Sequence, residues 1–498
     1  TAPAANLTEL VVHYNDVLEG ILDIHAPKKT KIVTIRHHAP WFNDDIKKAK
    51  QARRQAERAW RSSKLTVHLE AFKQAQRNVT KMCGSAQSEY LCRKIEENSG
   101  KQKELFKLSN NLLHRNTAKP LLSHADPKDL ANDFADYFSE KISTIRESFI
   151  QTDMSPYSED QMDQDVPAFD NFQPTNETEL RKLILSLKST TCSLDPMPTS
   201  LVKEYIDCLL PVLVRIVNES FASCSFPDPL KLAIVIPLIK KILLDFENKK
   251  NYCPVSQLPF LGKVVEKTAV RKFSGHINLN NLEELLQSAY KELHSVETAL
   301  LVIFDDLLSA VDSRKHVLVT LLDYSAAFDT IDHVILFQRL HNNYGLSGSA
   351  LEWVESYFTG RHQAISIGDA ISETHNLPYG MPQGSIFGPF SYPKYAAPIA
   401  RIAEKHGIIY HQYADETQLY VECDGNSVQD CKQRLEQCIA EIRDWSTCNM
   451  LKHNDSKTEF ITVKSKFCKA KLDVTSLTIG DASVSAVYRK STRLNSSH

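Results

Sequence analysis

The sequence predicts an α+β protein in which helices predominate and a few strands form a small antiparallel sheet. Three observations predict this fold class. Apolar residues recur at three- and four-residue steps through much of the chain, which is typical of amphipathic helices. Two stretches, 232–241 and 315–325, are rich in apolar and β-branched residues, as strands are. The segment 405–421 carries apolar flanks on both sides of an acidic turn, which predicts a hairpin.

The composition is that of an ordinary globular protein. The 498 residues are 42% hydrophobic and 24% charged. We find no apolar run long enough to cross a bilayer, so a membrane partner is not expected. Eleven cysteines without paired spacing indicate reduced thiols in an intracellular protein and argue against a disulfide framework or a zinc site.

Charge is distributed unevenly along the chain. Twelve Lys and Arg face three acids between Lys28 and Lys64, whereas five Asp and three Glu occur without any Lys or Arg between Asp153 and Glu179. This pattern predicts a basic arm that faces a polyanion, followed by an acidic linker. For the basic run alone, an ordinary solvated helix face is the preferred interpretation.

The individual elements follow from the same patterns. Strands are expected at 232–241, at 315–325 and in the 405–421 hairpin. In the helix predicted over 331–345, Asp332 is a suitable N-cap and Gly345 lies just beyond the end. The other predicted helices lie at 7–25, 45–113, 176–189, 193–221 (after an opening loop), 262–277, 297–311 and 428–446.

Three stretches carry candidate chemistry: "LLDYSAAFDTIDH" (321–333), "GMPQGSIFGP" (380–389) and "YADETQLY" (413–420). Singly, each has an ordinary explanation, namely a turn aspartate, a Gly/Pro loop and solvated acids. Together and in this order they predict two strand ends that present carboxylates, Asp323 on one and Asp415 with Glu416 on the other. Carboxylates are the hard oxygen ligands that Mg²⁺ requires, and a pair of such ions promotes displacement at phosphorus.

These stretches resemble the palm motifs of the reverse transcriptase of a non-LTR (LINE-type) retrotransposon. The likeness covers most of residues 10–480, because 251–267 and 287–301 are similar to the family's finger segments and 445–460 to the segment after its catalytic hairpin. The resemblance implies right-hand polymerase fingers and palm with a small antiparallel palm sheet. A helical N-terminal region would precede them, and the thumb would be largely missing, as in a partial and degenerate copy.

The resemblance also implies a division of the chain, with a reverse transcriptase domain at about 220–480. The expected parts are a basic helical linker region (1–125), a helix plus acidic connector (126–175), fingers (176–302), palm (303–445), a post-palm segment toward a truncated thumb (446–485) and a non-native-looking tail (486–498).

Carried over residue by residue, the resemblance implies that Asp323, Asp415 and Glu416 are catalytic and hold two Mg²⁺ ions, with Mn²⁺ as a possible substitute. Phe328 would lie under the incoming sugar, where a large flat ring excludes a 2′-hydroxyl and favours dNTPs. Lys457 would either donate a proton to the leaving pyrophosphate or be a surface lysine.

The remaining implied residues bind the nucleotide. Gln383 would touch the nucleotide or the template. The neighbouring Gly384 has no side chain and so lets the backbone approach closely. Lys240 and Lys241 would lie near the triphosphate, and Lys291 takes the position of a family arginine.

The implied function is RNA-directed DNA polymerisation, in which two metal ions assist transfer of a dNTP to a primer 3′-hydroxyl. The implied partners are an RNA template, a DNA primer and dNTPs. The implied location is intracellular, in the nucleus and cytoplasm, within a ribonucleoprotein of the element.

Several positions depart from the family pattern, and we expect impaired activity from them. Glu416 replaces an aspartate, and a displacement of about 1 Å in such a site can cost about 100-fold in rate. Cys253 replaces an arginine, and Lys291 loses the bidentate fork of one. Pro393 and Pro398 interrupt a predicted apolar helix, where an interior proline costs about 3 kcal/mol.

Two alternative functions stay open at this stage. The first is a catalytically dead remnant that binds nucleic acid through the basic helices. The second is an unrelated helical protein with chance motifs, which would place Asp323 and Asp415 far apart.

Overall fold

The computed structural model describes residues 6–27, 39–112, 121–122, 126–150, 166–190, 192–241, 244–424, 427–465, 474–480 and 482–486. Residues 28–38 of the basic arm, most of the acidic connector (151–165) and nearly all of the predicted tail (487–498) lie outside the described residues. The chain divides into two compact units. The smaller comprises residues 28–121, and the larger comprises residues 1–27 and 122–498.

Fifteen α-helices lie in the described residues. In chain order they are α1 (Leu7–His25), α2 (Asp44–Ser63), α3 (Thr66–Glu97), α4 (Gln102–Leu112), α5 (Pro127–Ile150), α6 (Glu177–Ser186), α7 (Thr199–Glu204), α8 (Ile206–Ala222), α9 (Phe260–Leu279), α10 (Val296–Asp312), α11 (His333–Tyr344), α12 (Gly348–Phe358), α13 (Phe387–Ala396), α14 (Pro398–Lys405) and α15 (Val428–Cys448).

Thirteen strands lie in the same residues. They are β1 (Leu232–Ile239), β2 (Tyr252–Gln257), β3 (His316–Leu322), β4 (Tyr324–Ser325), β5 (His362–Ile367), β6 (Ala370–Ile371), β7 (His375–Asn376), β8 (Ile409–Tyr413), β9 (Glu416–Cys423), β10 (Lys452–His453), β11 (Glu459–Val463), β12 (Ser476–Ile479) and β13 (Ala482–Ser485). The mixture of helices and sheets confirms the α+β prediction.

The smaller unit is helical, as the sequence predicts. Asn43 caps α2 by accepting a hydrogen bond from the Ile46 amide at 2.9 Å. The rings of Trp60 on α2 and Phe72 on α3 stack with centroids 5.7 Å apart. These two aromatics therefore join one helix to the other. Ile46 is the one buried residue of α2, so most of the helix is open to solvent.

A four-stranded antiparallel sheet, in the order β11-β3-β9-β8, forms the centre of the larger unit. Successive side chains of β3 face opposite sides, as the pleat requires. Val317 and Val319 pack with Ala310 of α10, whereas Leu318 and Leu322 join the main core that includes α15. Because both faces of β3 are covered, packing fixes the position of the strand as far as its last residue, Leu322.

A second sheet, in the order β2-β1-β5-β6 with β7 beside β5, is the main feature that the sequence analysis did not anticipate. Its β1 and β5 are parallel, and Pro237 and Pro254 lie opposite each other between β1 and β2. Prolines and short runs weaken the strand signal. Helix α5 covers this sheet, where Phe134 packs with Val235.

The expected helix at 331–345 is confirmed as α11. Asp332 accepts hydrogen bonds from the amides of Val334 and Ile335, and Gly345 ends the helix with φ 72°.

The two prolines of the apolar segment 390–405 occupy different positions in their helices. Pro393 lies inside α13, but Pro398 begins α14, a position that needs no amide donor. The placement of Pro398 inside a helix is therefore wrong.

In the described part of the chain, no helix is long and apolar enough to cross a membrane.

Candidate active site

The ends of two paired strands bring three acids together. Strand β3 pairs with β9 in a register that sets Leu322 opposite Thr417. Continuing that register by one residue brings Asp323 opposite Glu416, the first residue of β9. Paired Cα atoms in an antiparallel sheet lie about 4.5–5.5 Å apart. Asp415, in the preceding turn, lies at the same edge of the sheet.

The hairpin that carries Asp415 is held from the side. Its turn consists of Ala414 and Asp415, because Tyr413 already pairs with Glu416. Ala414 has φ 57°, a left-handed conformation that an L side chain rarely adopts. The buried Gln287 accepts hydrogen bonds from the Ala414 amide at 3.2 Å and from the Ala289 amide at 2.9 Å. These contacts fix the turn despite its unfavourable backbone.

Asp323 is surrounded by the turn that follows β10. The Lys457 ammonium donates to both carboxylate oxygens of Asp323, at 2.9 and 3.1 Å. The Asn454 amide donates to the Asp323 carbonyl at 2.9 Å. Lys457 remains 61% exposed, whereas the Asp323 side chain is 18% exposed. The structure thus places Lys457 on one of the predicted metal ligands.

One ammonium group, that of Lys457, faces the three acids in the described part of the chain. Burial raises the pKa of Asp415, and the Asp323 carboxylate raises it further, against the opposing charge of Lys457. Burial likewise raises the pKa of Glu416, with additional contributions from Asp415 and then Asp323. Like charges held together disfavour ionisation, and a bound cation reverses that effect.

The donor set fits a hard divalent cation. Its three carboxylates supply only oxygen, as Mg²⁺ prefers. Among the described residues, no group of three or more His, Cys, Asp or Glu side chains is arranged so that it could hold a metal ion by itself. Mg²⁺ sites characteristically use one or two carboxylates and complete their shell with substrate phosphates and water. An open set of acids is therefore compatible with such an ion.

Phe328 lies in an aromatic stack beside the acidic hairpin. Its ring stacks on Tyr392 with centroids 4.6 Å apart and meets Tyr290 edge-on at 6.4 Å. Tyr392 is fully buried, so it supports the ring from below. The Asp415 carboxylate contributes to raising the pKa of both tyrosines, for which burial is the largest cause. Phe328 is therefore close to the hairpin.

Gln383 is held by a carboxylate. Its side-chain amide nitrogen lies 3.2 Å from each oxygen of Asp329, and its amide oxygen lies 3.8 Å from the Cys253 thiol. The Ser256 amide donates to the Gln383 carbonyl at 3.1 Å. Gly384 follows with φ 100°, and a Cβ there would approach the Ser256 carbonyl oxygen to 2.7 Å. The loop therefore packs against β2 too closely for any residue but glycine.

The predicted lysines occupy different surroundings. Lys240 is exposed at the end of β1, and its ammonium donates to the Lys250 carbonyl at 2.8 Å. Lys241 is also exposed. Lys291 instead points toward acids: it donates to the Glu284 carbonyl and lies 3.5 Å from the Glu283 carboxylate. Lys240 is influenced by the charge of Lys457, which contacts Asp323, whereas Lys291 pairs with Glu283.

Three residues of this region were missed by sequence reasoning. Asp329 is the second acid of a motif already noted, and its position beside Phe328 was the available signal. Gln287 lies in a segment recognised only by resemblance. Lys141 lies on α5, where neither spacing nor motif distinguishes it from other helical lysines.

Comparison with known proteins agrees with this geometry. Residues 240–479 match the family described as "Reverse transcriptase (RNA-dependent DNA polymerase)". The match includes β3, the Gly/Pro loop and the acidic hairpin, and it ends at the last residue of β12.

Individual relatives are proteins of transposable elements. The chain is 22% identical over 324 residues to the RNA-directed DNA polymerase from mobile element jockey of Drosophila funebris, covering 63% of this chain and 34% of the relative. It is 29% identical over 171 residues to the probable RNA-directed DNA polymerase from transposon X-element of Drosophila melanogaster, covering 34% and 18%. The chain thus spans about a third or less of these relatives. Residues 240–479 therefore carry a reverse transcriptase domain, and these relatives of the chain are polymerases of non-LTR retrotransposons.

Proposed function

We propose that this chain is an RNA-directed DNA polymerase that adds dNTPs to a DNA primer on an RNA template. The observation that carries the proposal is the register of β3 with β9, which pairs Leu322 with Thr417 and so leaves Asp323, Asp415 and Glu416 at one edge of the sheet. A divalent ion between strand-end carboxylates is the arrangement that phosphoryl transfer requires.

The division into subdomains is part of the same proposal. The four-stranded antiparallel sheet and the helices on it would be the palm, over 303–445. Residues 176–302, which contain β1, β2 and α9, would be the fingers. The support is that β1 and β2 pair as a hairpin-like ribbon, and Ser256 of β2 contacts the Gly/Pro loop beside the acids.

Asp323, Asp415 and Glu416 would hold two Mg²⁺ ions, which when bound polarise phosphate oxygens and stabilise charge on the attacking and leaving groups. The chain's own residues do the remaining work. Gln287 holds the hairpin so that its acids stay at the strand end. Phe328, supported by Tyr392, would present a flat surface to the sugar. Lys240 would neutralise charge on the triphosphate.

Two features point to a slow enzyme. Glu416 carries one methylene more than the family's aspartate and is exposed at the strand edge, so its carboxylate reaches further from the backbone. The Lys457 ammonium is already paired with the Asp323 carboxylate. Both features weaken the binding of a cation at the ends of β3 and β9. The acids remain in place, so we expect reduced activity and not its loss.

Primer extension tests the proposal. Purified chain is supplied with a DNA primer on an RNA template, dNTPs and either Mg²⁺ or Mn²⁺, beside the Glu416→Asp variant and the Glu416→Asp/Cys253→Arg double variant. We expect extension that requires a divalent ion and is faster in the variants. Absence of extension in all three proteins, each shown to be folded by thermal melting, would contradict the proposal.

A second candidate is a remnant that binds nucleic acid without catalysis, and α2 favours it. That helix is open to solvent, and its exposed basic residues are Lys47, Lys48, Arg54, Arg58 and Arg61. Binding through such a face releases counterions and weakens steeply with salt. Replacing three of these residues by Glu would then abolish RNA binding, while charge-neutral changes on α3 would not. Extension by the natural chain would exclude this candidate.

A further inference from the structure

A cavity of about 230 Å³ opens between α5 and the segment 375–379. Its lining includes Lys141 of α5, Pro254 of β2, Asp329 and Tyr379. A smaller cavity shares Pro254, Asp329 and Tyr379 with it and continues to Gln383. The two cavities therefore form one cleft that leads from α5 to the Gly/Pro loop.

Helix α5 is attached firmly at the position of Lys141. Five residues further along the helix, the Arg146 guanidinium donates to the Thr330 carbonyl at 3.0 Å and to the Asp332 carboxylate at 2.8 Å. The same guanidinium lies over the Tyr379 ring, 4.1 Å from its centroid. Arg146 and Asp332 are both more than three-quarters buried, so this contact is stronger than a surface ion pair. Lys141 is thus fixed beside the segment that carries Phe328 and Asp329.

The ammonium groups of Lys141, which lines this cleft, and of Lys457 both act electrostatically on Lys240. Burial lowers the pKa of Lys240, and the charges of Lys141 and Lys457 lower it further. Lys141 also acts on Asp329, where burial raises the pKa to about 6 against the opposing effects of Gln383 and Lys141. Lys457 is paired with Asp323. Among the described residues, no carboxylate lies within ion-pairing distance of Lys141 or Lys240.

Lys141 and Lys240 have no ion-pair partner among the described residues, and Lys141 lines the cleft. Unpaired cations beside a cleft favour the binding of anions with several charges. Lys240 is also influenced by Lys457, which touches the acid at the end of β3, so the ligand must lie alongside the candidate metal site. A triphosphate satisfies both demands because it carries several charges and binds divalent ions. A phosphate of the template strand supplies only one charge at this point.

We propose that Lys141 binds the triphosphate of the incoming nucleotide together with Lys240. Lys141 is a nucleotide-binding residue contributed by α5, about 100 residues before the region that matches the reverse transcriptase family. The proposal rests on the proposed function, because it assumes that a dNTP occupies the site. It also gives α5 a functional role beyond packing on the second sheet.

The test measures nucleotide binding without chemistry. Full-length chain is bound to an RNA template with a dideoxy-terminated DNA primer in Ca²⁺. The fraction of primer–template that stays bound to the protein is then measured as the complementary dNTP is added. Lys141→Met is compared with Lys141→Arg and with Lys128→Met, an exposed lysine of the same helix that pairs with Glu373. Binding of the primer–template alone is measured in parallel.

We expect Lys141→Met to need about tenfold more dNTP for half-maximal retention, the loss typical of one charged hydrogen bond. Its affinity for primer–template without dNTP should stay within about twofold, Lys141→Arg should retain dNTP binding, and Lys128→Met should match the natural chain.

Three results would overturn the proposal: an unchanged dNTP requirement in Lys141→Met, weakened primer–template binding with unchanged dNTP binding, or no dNTP-dependent retention by the natural chain. The middle result would assign Lys141 to the template backbone. Retention by dNTP in a chain that never extends a primer would instead reject the polymerase proposal and leave Lys141 as a nucleotide ligand.

Discussion

The ammonium of Lys457 lies 2.9 and 3.1 Å from the two carboxylate oxygens of Asp323. The acid at the end of β3 is therefore neutralised by a residue from a turn 134 positions later in the chain. A divalent ion at Asp323 has to compete with this ammonium. Because Lys457 is mostly exposed, the ion pair is weak enough to be displaced.

Replacing Lys457 by Met should lower the Mg²⁺ concentration at which primer extension is half-maximal. An exposed ion pair contributes about 0.2–1 kcal/mol, so the expected shift is about two- to fivefold. Lys452→Met, a change at an exposed lysine of β10, serves as the control and should leave the Mg²⁺ requirement unchanged. A higher Mg²⁺ requirement in Lys457→Met would show that the lysine assists metal binding.

Asp329 should make stability depend on pH. Its pKa is raised to about 6 in the folded chain, with burial as the largest cause, against 3.8 for an ordinary aspartate. Between these values the folded state binds more protons than the unfolded state, so stability falls as pH rises, and the full penalty is present above pH 6.

Asp329→Asn should therefore raise the melting temperature at pH 8 and leave it nearly unchanged at pH 3.5. The free energy regained at pH 8 is about 1–3 kcal/mol, from the relation of about 1.4 kcal/mol per pKa unit. Asp369→Asn, at an exposed turn, should show no such dependence. Equal melting shifts at both pH values would contradict the assigned cause.

Gly384 should not tolerate alanine. Its φ of 100° and the 2.7 Å approach of a Cβ to the Ser256 carbonyl oxygen both oppose a side chain. We expect Gly384→Ala to destabilise the chain by about 1–3 kcal/mol and to displace Gln383. Gly275→Ala is the matched control, because a Cβ there meets no atom within 4 Å and α9 favours alanine by about 0.5–1 kcal/mol. Similar melting temperatures for the two variants would contradict the packing of this loop on β2.

The sequence predicts secondary structure best where the local residue pattern and the tertiary packing favour the same element. The apolar run into Asp323 and the flanks of the acidic turn predict β3 and the β8–β9 hairpin, because each strand is covered on both faces or paired on both edges. Asp332 and Gly345 predict the limits of α11, because capping is a local interaction. Asp323, Asp415 and Glu416 follow from those elements.

The residues that the sequence could not place depend on distant partners. The contact of Lys457 with Asp323 and the hydrogen bond from Gln383 to Asp329 join segments that are 134 and 54 residues apart, and their approach is set by packing. Of the second sheet only β1 was predicted, because Pro254 weakens the strand signal of β2 and the other strands are short. Lys141 lies in an ordinary amphipathic helix, and only the cleft beside Asp329 distinguishes it.

The most direct test of the central claim is primer extension by Glu416→Asp, with and without Asp323→Asn. If the ends of β3 and β9 form one metal-dependent site, Glu416→Asp should extend the primer about 100-fold faster than the natural chain, the factor that a displacement of about 1 Å can cost. Adding Asp323→Asn should abolish that activity. Extension that persists without the Asp323 carboxylate, or a Glu416→Asp variant that is folded and no faster, would contradict the account.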